Sequence, residues 1–491
     1  MKKLSGILLF PFLTHLGFAA TASVADAVEH RDVAALEQLL KQHAPVNVPQ
    51  ADGTTALQWA AHYNDLDTVT QLLEAGADAK TANRYGASPL SEAAALGNAA
   101  ILEKLLQAGA DPNTRTTADG ETVLMTSAHS GNVAAVHALL SHGADVNAKE
   151  AYKGQTALMW AAAERHPEIV KLLLEHGADW KIQSSSRPTK LPKLSAASSI
   201  SPMSRGGLTA FLFAAREGDL ETAKVMLDAG VDINQTDVDH TSALVVSIMN
   251  KHYTFAKFLL DHSADPNVTD ALGRAALYAA VDMHNEDWSA LPMRKEQDPL
   301  PARDLIQAIL AHGANPNARL THNLPGRSGM DLGDVALDEG TTPFMRAARS
   351  GDAATMKMLL QAGADPTITT KDGNNALLFA AGIGYRDKNT RGTDEEALAA
   401  LKLCMDQGMD INQANNKGET PLHGAADRGS DLLVKYLVEH GAKLDARSKR
   451  GFTPLDVAMG KGSFALPVPH DSTVALLKSL GAAEGAHEGT H

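Results

Sequence analysis

The last five residues of the sequence have the spacing of a zinc-protease motif, His487-Glu488-Gly489-Thr490-His491. That chemistry needs both histidines on one face of a buried helix, a third ligand and a pocket. The five residues include a glycine and follow Gly485, so they are poorly suited to a helix. We therefore expect a flexible tail over 483–491 and no metal site.

The rest of the sequence also gives no sign of catalytic chemistry. Cys404 is the one cysteine of the chain, which excludes an intramolecular disulfide and a four-thiolate zinc site. It stands at a leucine position, so we expect a small buried apolar residue. The sequence has no phosphate-binding G-x-x-x-x-G-K-[ST] loop, no G-x-G-x-x-G run and no G-x-S-x-G elbow. We expect no catalytic residue and no cofactor, and so no enzyme.

The histidines of the chain also indicate structural roles. Six of the twenty are interpreted as occupying one place in a recurring pattern, which marks them as scaffold residues. These six are His43, His142, His176, His262, His312 and His440.

The net charge of the chain limits the classes of partner that it can bind. The chain has 44 Lys and Arg against 58 Asp and Glu, a formal net charge of −14. Such an acidic surface repels phosphate backbones, so we expect no nucleic-acid partner. Apolar residues make up 44% of the 491 residues, enough for a substantial core.

The N-terminal residues 1–22 are typical of a secretory signal peptide. Lys2 and Lys3 precede an apolar run, and small residues that suit cleavage after Ala22 or Ala25 follow it. A membrane anchor is the alternative, but Pro11 and Gly17 interrupt a run that is already short for a bilayer. We expect a periplasmic or secreted protein with no membrane contact after cleavage.

Two phrases alternate along almost the whole chain. One resembles LLEAGAD, which ends at Asp78, and recurs through LVEHGAK, which ends at Lys443. The other resembles GTTAL, which begins at Gly53, and recurs through GFTPL, which begins at Gly451. Several successive starts of the second phrase, such as 53 and 86 or 418 and 451, lie 33 residues apart. A fixed period of this size indicates a repeat array.

The two phrases resemble the ankyrin repeat, and the resemblance covers residues 26 to about 482. It implies a mainly α protein, an ankyrin-repeat solenoid of about twelve helix-turn-helix repeats joined by short β-hairpin connections. The residue types agree with that architecture. Gly53 permits a positive φ in a tight turn, and Thr420-Pro421 supplies an N-cap and a first helical residue. Each unit is apolar on both flanks and is stable only when stacked.

Spacing between the phrases locates the insertions. We expect N-terminal repeats over 26–182, a Ser/Pro-rich basic segment over 183–206, and C-terminal repeats over 207–482. Within the C-terminal repeats, extra residues fall at 285–301, 320–337 and 385–397. The 183–206 segment is either a linker between two stacks or a basic flap that recruits an acidic partner. Trp288, in the first of the later insertions, either packs on the scaffold or anchors a ligand.

The resemblance also implies where a partner binds, since proteins of this family bind macromolecules with hairpin tips and the exposed face of the first helix. Carried over by position, the tip candidates are Asp52, Arg84, Tyr85, Asp119, Tyr152 and Lys153. The first-helix candidates are His62, Tyr63, His129, Arg216, Glu217, Arg349, Asp427 and Arg428. We expect a monomeric, non-catalytic scaffold that binds another protein. The alternatives are an enzyme with a pocket built from the insertions within 273–418, or a secreted effector that acts on a host protein.

Overall fold

The computed structural model describes residues 23–116, 119–188, 204–286, 298–324, 337–385, 390–461 and 469–485. Within these residues the chain forms helices in pairs, together with one pair of short strands. The helices divide between two compact units, residues 1–151 (unit 1) and 152–491 (unit 2). Trp288, the His487–His491 motif and the leader lie outside the described residues.

Unit 1 contains four helix pairs. Their bounds are α1 (Val24–Glu29), α2 (Val33–Lys41), α3 (Ala56–His62), α4 (Leu66–Glu74), α5 (Pro89–Leu96), α6 (Ala99–Gln107), α7 (Val123–His129) and α8 (Val133–Ser141).

Unit 2 contains eight helix pairs, so the described residues hold the twelve repeats that the sequence predicts. The bounds are α9 (Ala157–Ala163), α10 (Pro167–Glu175), α11 (Ala210–Glu217), α12 (Leu220–Asp228), α13 (Ala243–Met249), α14 (Tyr253–Asp261), α15 (Ala276–His284), α16 (Ala302–Ala311), α17 (Pro343–Arg349), α18 (Ala353–Gln361), α19 (Ala376–Ala381), α20 (Asp394–Asp406), α21 (Pro421–Arg428), α22 (Asp431–Glu439), α23 (Pro454–Ala458) and α24 (Asp471–Ser479). The strands β1 (Ser186–Pro188) and β2 (Ser204–Gly206) separate the first pair from the second.

Local sequence explains the short first helix of each repeat. In α5 the hydroxyl of Ser88 accepts from the backbone N–H of Ser91, and Pro89 occupies the first turn. Gly97 ends the helix with φ +70° in the left-handed region. Between these ends, Ala93 and Ala94 are completely buried, and their small side chains let the neighbouring first helices approach closely.

Packing joins each repeat to the next. In unit 1 the first helices α1, α3, α5 and α7 pack on one another in chain order. Each second helix buries an apolar stripe, such as Leu102 and Leu105 of α6, both 0% exposed. Full burial of a leucine contributes roughly 1.5–3 kcal/mol, so this stripe stabilises the fold of a chain that has no disulfide.

An asparagine four residues after the cap position of a repeat, such as Asn412 after Gly408, links that repeat to the next. The side-chain N–H of Asn47 donates to the carbonyl of Gly76 at 2.9 Å, and its Oδ1 accepts from the N–H of Asp78 at 2.8 Å. Asn412 makes the same pair of bonds with Gly441 and Lys443 in unit 2. The recurring phrase therefore encodes contacts between repeats as well as helix ends.

The connections between repeats are tight turns rather than long ladders. The N–H of Asn83 donates to the carbonyl of Ala87, and Gly86 has φ +81°. Two isolated bridges complete such turns, Arg115 with Thr122 and Thr236 with Ser242.

The two ends of the 183–206 segment pair with each other. Strands β1 and β2 pair antiparallel, with Ser186 opposite Gly206. Helices α9 and α11 pack directly on each other, so this segment lies within one stack of repeats. The division between the two compact units falls at Ala151–Tyr152.

One histidine does not fit the pattern assigned to it. In five of the six, Nδ1 lies 2.7–2.9 Å from the carbonyl four residues earlier, which confirms a scaffold role at the helix end. His43 instead has φ +53° and occupies the position of the cap glycine. Its place in the group of six was wrong, because the repeat that contains it has a non-glycine residue at the left-handed cap.

Candidate functional site

The tip residues of unit 1 are fixed by their own turns. The carboxylate of Asp52 accepts from the N–H and the hydroxyl of Thr54, both at 2.9 Å, and these bonds lower the pKa of Asp52. Its carbonyl accepts from the N–H of Arg84 at 2.9 Å, which joins one tip to the next. Beyond these bonds the side chain of Tyr85 is 82% exposed. The tips are therefore held by backbone hydrogen bonds, while the Tyr85 side chain stays open to solvent.

An aromatic cluster lies on the first helix of the second repeat. Trp59 and Tyr63 stack with ring centroids 5.6 Å apart, and His62 meets the Trp59 ring edge-on at 5.7 Å. The Arg31 guanidinium lies 4.1 Å from the centroid of the Tyr63 ring. We call Arg31, Trp59, His62 and Tyr63 the aromatic cluster.

Hydrogen bonds hold this cluster in place. The Tyr63 hydroxyl donates to the carbonyl of Glu29 at 2.9 Å, and the indole N–H of Trp59 donates to Gln50 at 2.8 Å. His62 Nδ1 lies 3.0 Å from a carboxylate oxygen of Glu92. His62 and Tyr63 are among the residues selected from the sequence, whereas Trp59 and Arg31 are not. The spacing of Trp59, His62 and Tyr63, at i, i+3 and i+4, is the signal that could have joined them.

In unit 2 a second group forms around Arg216. Its Nε donates to the Glu217 carboxylate at 2.8 Å, and its guanidinium lies 4.6 Å from the Phe213 ring centroid. The side chain of Arg165 donates to the carbonyl of Glu217 at 2.6 Å. The tip residue Lys153 places its ammonium 5.8 Å from the ring of Tyr152, and the Lys153 carbonyl accepts from Ser185.

The predicted residues differ widely in exposure. Seven are exposed: His62, Arg84, Tyr85, Asp119, His129, Tyr152 and Lys153. Five are half-buried: Asp52, Tyr63, Arg216, Glu217 and Asp427. Arg349 and Arg428 are buried, at 3% and 8% exposure.

The expectation that Arg349 and Arg428 lie on an open face is therefore wrong. The Arg349 guanidinium donates to the carbonyl of Gly384 at 3.2 Å and to the hydroxyl of Thr390 at 3.4 Å. Gly384 and Thr390 lie in the connection between α19 and α20, outside both helices. A carbonyl in such an irregular segment needs a donor from elsewhere, and Arg349 supplies one to Gly384.

Arg428 also donates hydrogen bonds to the 385–397 insertion. Its guanidinium donates to a carboxylate oxygen of Asp394 at 2.9 Å and to the carbonyl of Gly392 at 3.1 Å. The ring of Tyr385 lies 4.1 Å from its guanidinium carbon. Asp427, beside it, accepts at its carbonyl from His470 at 2.9 Å.

A buried ion pair that the sequence did not predict connects α17 to α15. Arg346 Nε donates to Asp282 at 2.7 Å, and a second nitrogen donates to the hydroxyl of Ser350 at 2.7 Å. A third donor bonds the carbonyl of Asn285, where the 285–301 insertion begins. Arg346 stands at the place in the repeat that Trp59 holds in unit 1.

Reactive groups are limited in the part of the chain that the structure describes. Cys404 is 0% exposed, and burial raises the pKa of its thiol to about 12. No group of three His, Cys, Asp or Glu side chains within the described ranges could hold a metal ion. No described helix combines the length and the apolar character that a membrane crossing requires.

Comparison with known families agrees with this architecture. A profile described as "Ankyrin repeats (3 copies)" matches residues 24–116, 92–184, 199–291 and 392–482. "Ankyrin repeats (many copies)" matches 158–227, and "Ankyrin repeat" matches 339–371. Together these matches cover most of the sequence. Ankyrin repeats generally bind other proteins, and the chain belongs to the ankyrin-repeat family.

Individual relatives match parts of this chain. Ankyrin repeat and SOCS box protein 16 of Mus musculus is 34% identical over 118 residues, 24% of this chain and 25% of that protein. Phosphocholine transferase AnkX of Legionella pneumophila is 25% identical over 229 residues, 47% of this chain and 22% of that protein. Neurogenic locus notch homolog protein 1 of Mus musculus is 30% identical over 189 residues, 38% of this chain and 6% of that protein.

The chain thus spans a quarter or less of the length of these curated relatives. Among solved structures, the human ASB11 ankyrin repeat domain is 22% identical, with a TM-score of 0.36. That match covers 46% of this chain and 90% of the ASB11 chain.

Proposed function

We propose that this protein is a non-catalytic scaffold that binds another protein through its hairpin tips and the exposed faces of its first helices. The aromatic cluster carries the proposal. Tyrosine, tryptophan and arginine offer large contact area and directed donors, and they dominate the binding energy of protein interfaces. Here Trp59, Tyr63 and Arg31 are held in fixed positions, so little side-chain entropy is lost on binding.

The polar groups of the insertion region support a structural role for it. Arg346 and Asp282 bond each other, and Arg428 bonds Asp394. Groups held in such pairs stabilise the ends of the insertions, where these join the repeats. They are poorly placed to act on a substrate. The Cys404 thiol, with its raised pKa, is also unsuited to nucleophilic attack.

We place the protein outside the cytoplasm, as a periplasmic or secreted monomer. The proposal rests on the leader-like residues 1–22 and on the start of α1 directly after them. The Ser23 hydroxyl accepts from the N–H of Asp26, and the Ser23 N–H donates to the Asp26 carboxylate. A chain that begins at Ser23 keeps this capping box and the buried side chain of Val24.

A secreted effector is the second candidate. The similarity to AnkX, a bacterial phosphocholine transferase by its name, favours it. The match leaves 78% of that protein without a counterpart, since it covers 22%. Transferase chemistry is therefore no part of this second candidate, which would act on a host protein by binding alone.

Crosslinking and pull-down of the mature chain from a cell-envelope fraction, with host-cell extract in parallel, test the proposal. We expect His62→Ala combined with Tyr85→Ala to reduce capture of a discrete partner about tenfold or more, because two exposed contact residues are lost. Tyr436→Ala, which removes an aromatic residue from a second helix, is the matched control and should leave capture unchanged.

The result separates the possibilities. Equal capture by the wild type and the His62/Tyr85 variant would reject the tips and first-helix face as the binding surface. Capture from host extract alone would favour the effector. Melting curves of both variants exclude unfolding as the cause of any loss.

A further inference from the structure

Apolar residues line an open rim of unit 1. In each repeat the second helix begins at a turn, and its first residue lies on the edge of the stack. In unit 1 the side chains of Val33, Leu66 and Val133 hold this position with 63%, 37% and 43% exposure. Apolar side chains gain by leaving water, so this rim is suited to contact.

Between the first two repeats the rim opens into a cleft of about 540 Å³. We call this space the N-terminal cleft. Its apolar lining consists of Ala27, Val28, Val33, Leu36, Ala60 and Leu66. Tyr63 and Arg31 form another part of the wall, so the cleft adjoins the aromatic cluster. Its volume accommodates one or two large side chains of an incoming segment.

The charged residues of the cleft give it a negative balance. Asp32, Asp65 and Asp67 contribute three carboxylates and Arg31 one guanidinium, a balance of −2. Two of the carboxylates are fixed in position as N-caps. Asp32 accepts from the N–H of Ala35, and Asp65 accepts from the N–H of Thr68, each at 3.0 Å. A cationic group that approaches the rim therefore meets carboxylates that are already ordered.

Unit 2 shows that a polypeptide segment can lie across this kind of rim. The residue at the position of Val33 there is Tyr253 of α14, which is only 1% exposed. The next residue, Thr254, donates from its N–H and its hydroxyl to the carboxylate of Asp298, at 2.6–3.1 Å. Asp298 belongs to the 285–301 insertion, so added chain reaches the start of α14. Within residues 23–116 and 119–151, which the structure describes, no insertion covers the rim of unit 1.

We propose that the N-terminal cleft is the docking site for a cationic amphipathic segment of a partner protein. An apolar side chain of that segment enters the cleft between Val33 and Leu66. Its Lys or Arg side chains pair with Asp65 and Asp67 at the edge. The inference rests on the proposed binding function, to which it adds a second contact surface and the chemistry of the partner.

A labelled helical peptide of Leu and Lys, with a matched peptide of Leu and Glu, is the probe. By fluorescence anisotropy we expect the mature chain to bind the lysine peptide, and binding to weaken as salt is raised. The Asp32→Asn, Asp65→Asn, Asp67→Asn triple variant should bind about tenfold more weakly and lose the salt dependence. Asparagine caps helices as well as aspartate does, so the fold is retained.

The apolar half of the proposal has its own variants. Val33→Thr with Leu66→Gln removes apolar surface from the cleft at exposed positions and should also weaken the lysine peptide about tenfold. Val133→Thr makes the same change at a rim position outside the cleft and should leave binding unchanged. Thermal unfolding of all variants confirms that they are folded.

Several results would overturn the proposal. Equal binding of the glutamate peptide would exclude the charge assignment, and unchanged binding by either multiple variant would exclude the cleft. Self-association of the chain that Val33→Thr abolishes would assign the cleft to a second copy. Competition by a peptide of residues 1–22 would assign it to the leader. The His62/Tyr85 capture experiment does not depend on these variants, so a failure here and a failure of the proposed function are distinguishable.

Discussion

Arg346 donates a hydrogen bond from Nε to Asp282 at 2.7 Å, and the two side chains are 2% and 8% exposed. The bond connects α17 to α15 across the start of the 285–301 insertion. Because the same guanidinium also bonds Ser350 and the carbonyl of Asn285, one side chain satisfies three acceptors. The pair therefore fixes the start of the 285–301 insertion to the core of the repeats.

Arg346→Met should destabilise unit 2 by about 3–5 kcal/mol, because it removes the buried guanidinium that pairs with the Asp282 carboxylate. Adding Asp282→Leu should recover part of the loss, since two apolar residues replace the pair. Chemical denaturation measures both. Lys41→Ala, which breaks an exposed pair with Glu37, is the control and should cost under about 1 kcal/mol. A similar small cost for Arg346→Met would contradict the role assigned to the pair.

How far the sequence could predict the structure depends on the kind of contact. Glycine caps, Thr-Pro starts and alanine pairs are local, so the repeats and their helices follow from pattern alone. Arg349 and Arg428 share those patterns, yet they are buried, because irregular segments fold back and take up their donors. Two of the four acceptors named above, on Gly384 and Gly392, are backbone carbonyls, which every residue has and which leave no signature in the sequence.

In the candidate site, too, local features could be predicted from the sequence, and contacts between repeats could not. The exposure of Arg84 and Tyr85 follows from their place at a tip, and it is observed. The contact of Arg31 with Tyr63 depends on how one repeat turns relative to the next. That relation is a property of packing and has no fixed spacing along the chain.

Ser263 stands where most repeats have a cap glycine, and its φ is +69°. A side chain in this region costs roughly 1 kcal/mol, so Ser263→Gly should raise the free energy of unfolding by about that amount. Ser263→Ala keeps the Cβ atom and should give no gain. Denaturant titration of the two variants distinguishes relief of backbone strain from loss of the hydroxyl, and equal stabilities would reject the strain.

His423 makes stability depend on pH. Its Nδ1 accepts from the N–H of Thr420 at 3.1 Å, its Nε2 donates to the carbonyl of Phe452 at 3.0 Å, and burial lowers its pKa. The unfolded chain then takes up a proton before the folded one, so this residue reduces stability as pH falls below 6.5.

His423→Gln should remove that dependence and keep both bonds. Gln58 shows that glutamine can do so, because at the same place in α3 it accepts from Thr55 and donates to the carbonyl of Ala87. Melting temperatures measured across this pH range should converge above 6.5 and separate below it. Parallel curves for the two proteins would contradict the assignment to His423.

Asp338 has the opposite pH dependence. Burial, with the nearby Asp372 carboxyl, raises its pKa to about 6. The folded chain therefore holds a proton that the unfolded chain releases, and stability falls as pH rises from 3.8 through about 6. Asp338→Asn should stabilise the protein by about 1–3 kcal/mol above that range and have no effect below it. Asp445→Asn, at an exposed acid, is the control, and an equal gain there would reject the explanation from burial.

The start of α1 predicts which of two cleavage sites is used. Cleavage after Ala22 leaves Ser23 as the cap of α1, with Val24 and Ala25 buried at 2% and 1% exposure. Cleavage after Ala25 would remove the cap, worth about 1 kcal/mol, together with the burial of Val24, worth up to roughly 3 kcal/mol. Mass spectrometry of the exported protein should find Ser23 as the first residue. A chain made to begin at Asp26 should melt at a lower temperature, because its first repeat has lost both contributions, and an unchanged melt would show that α1 does not need them.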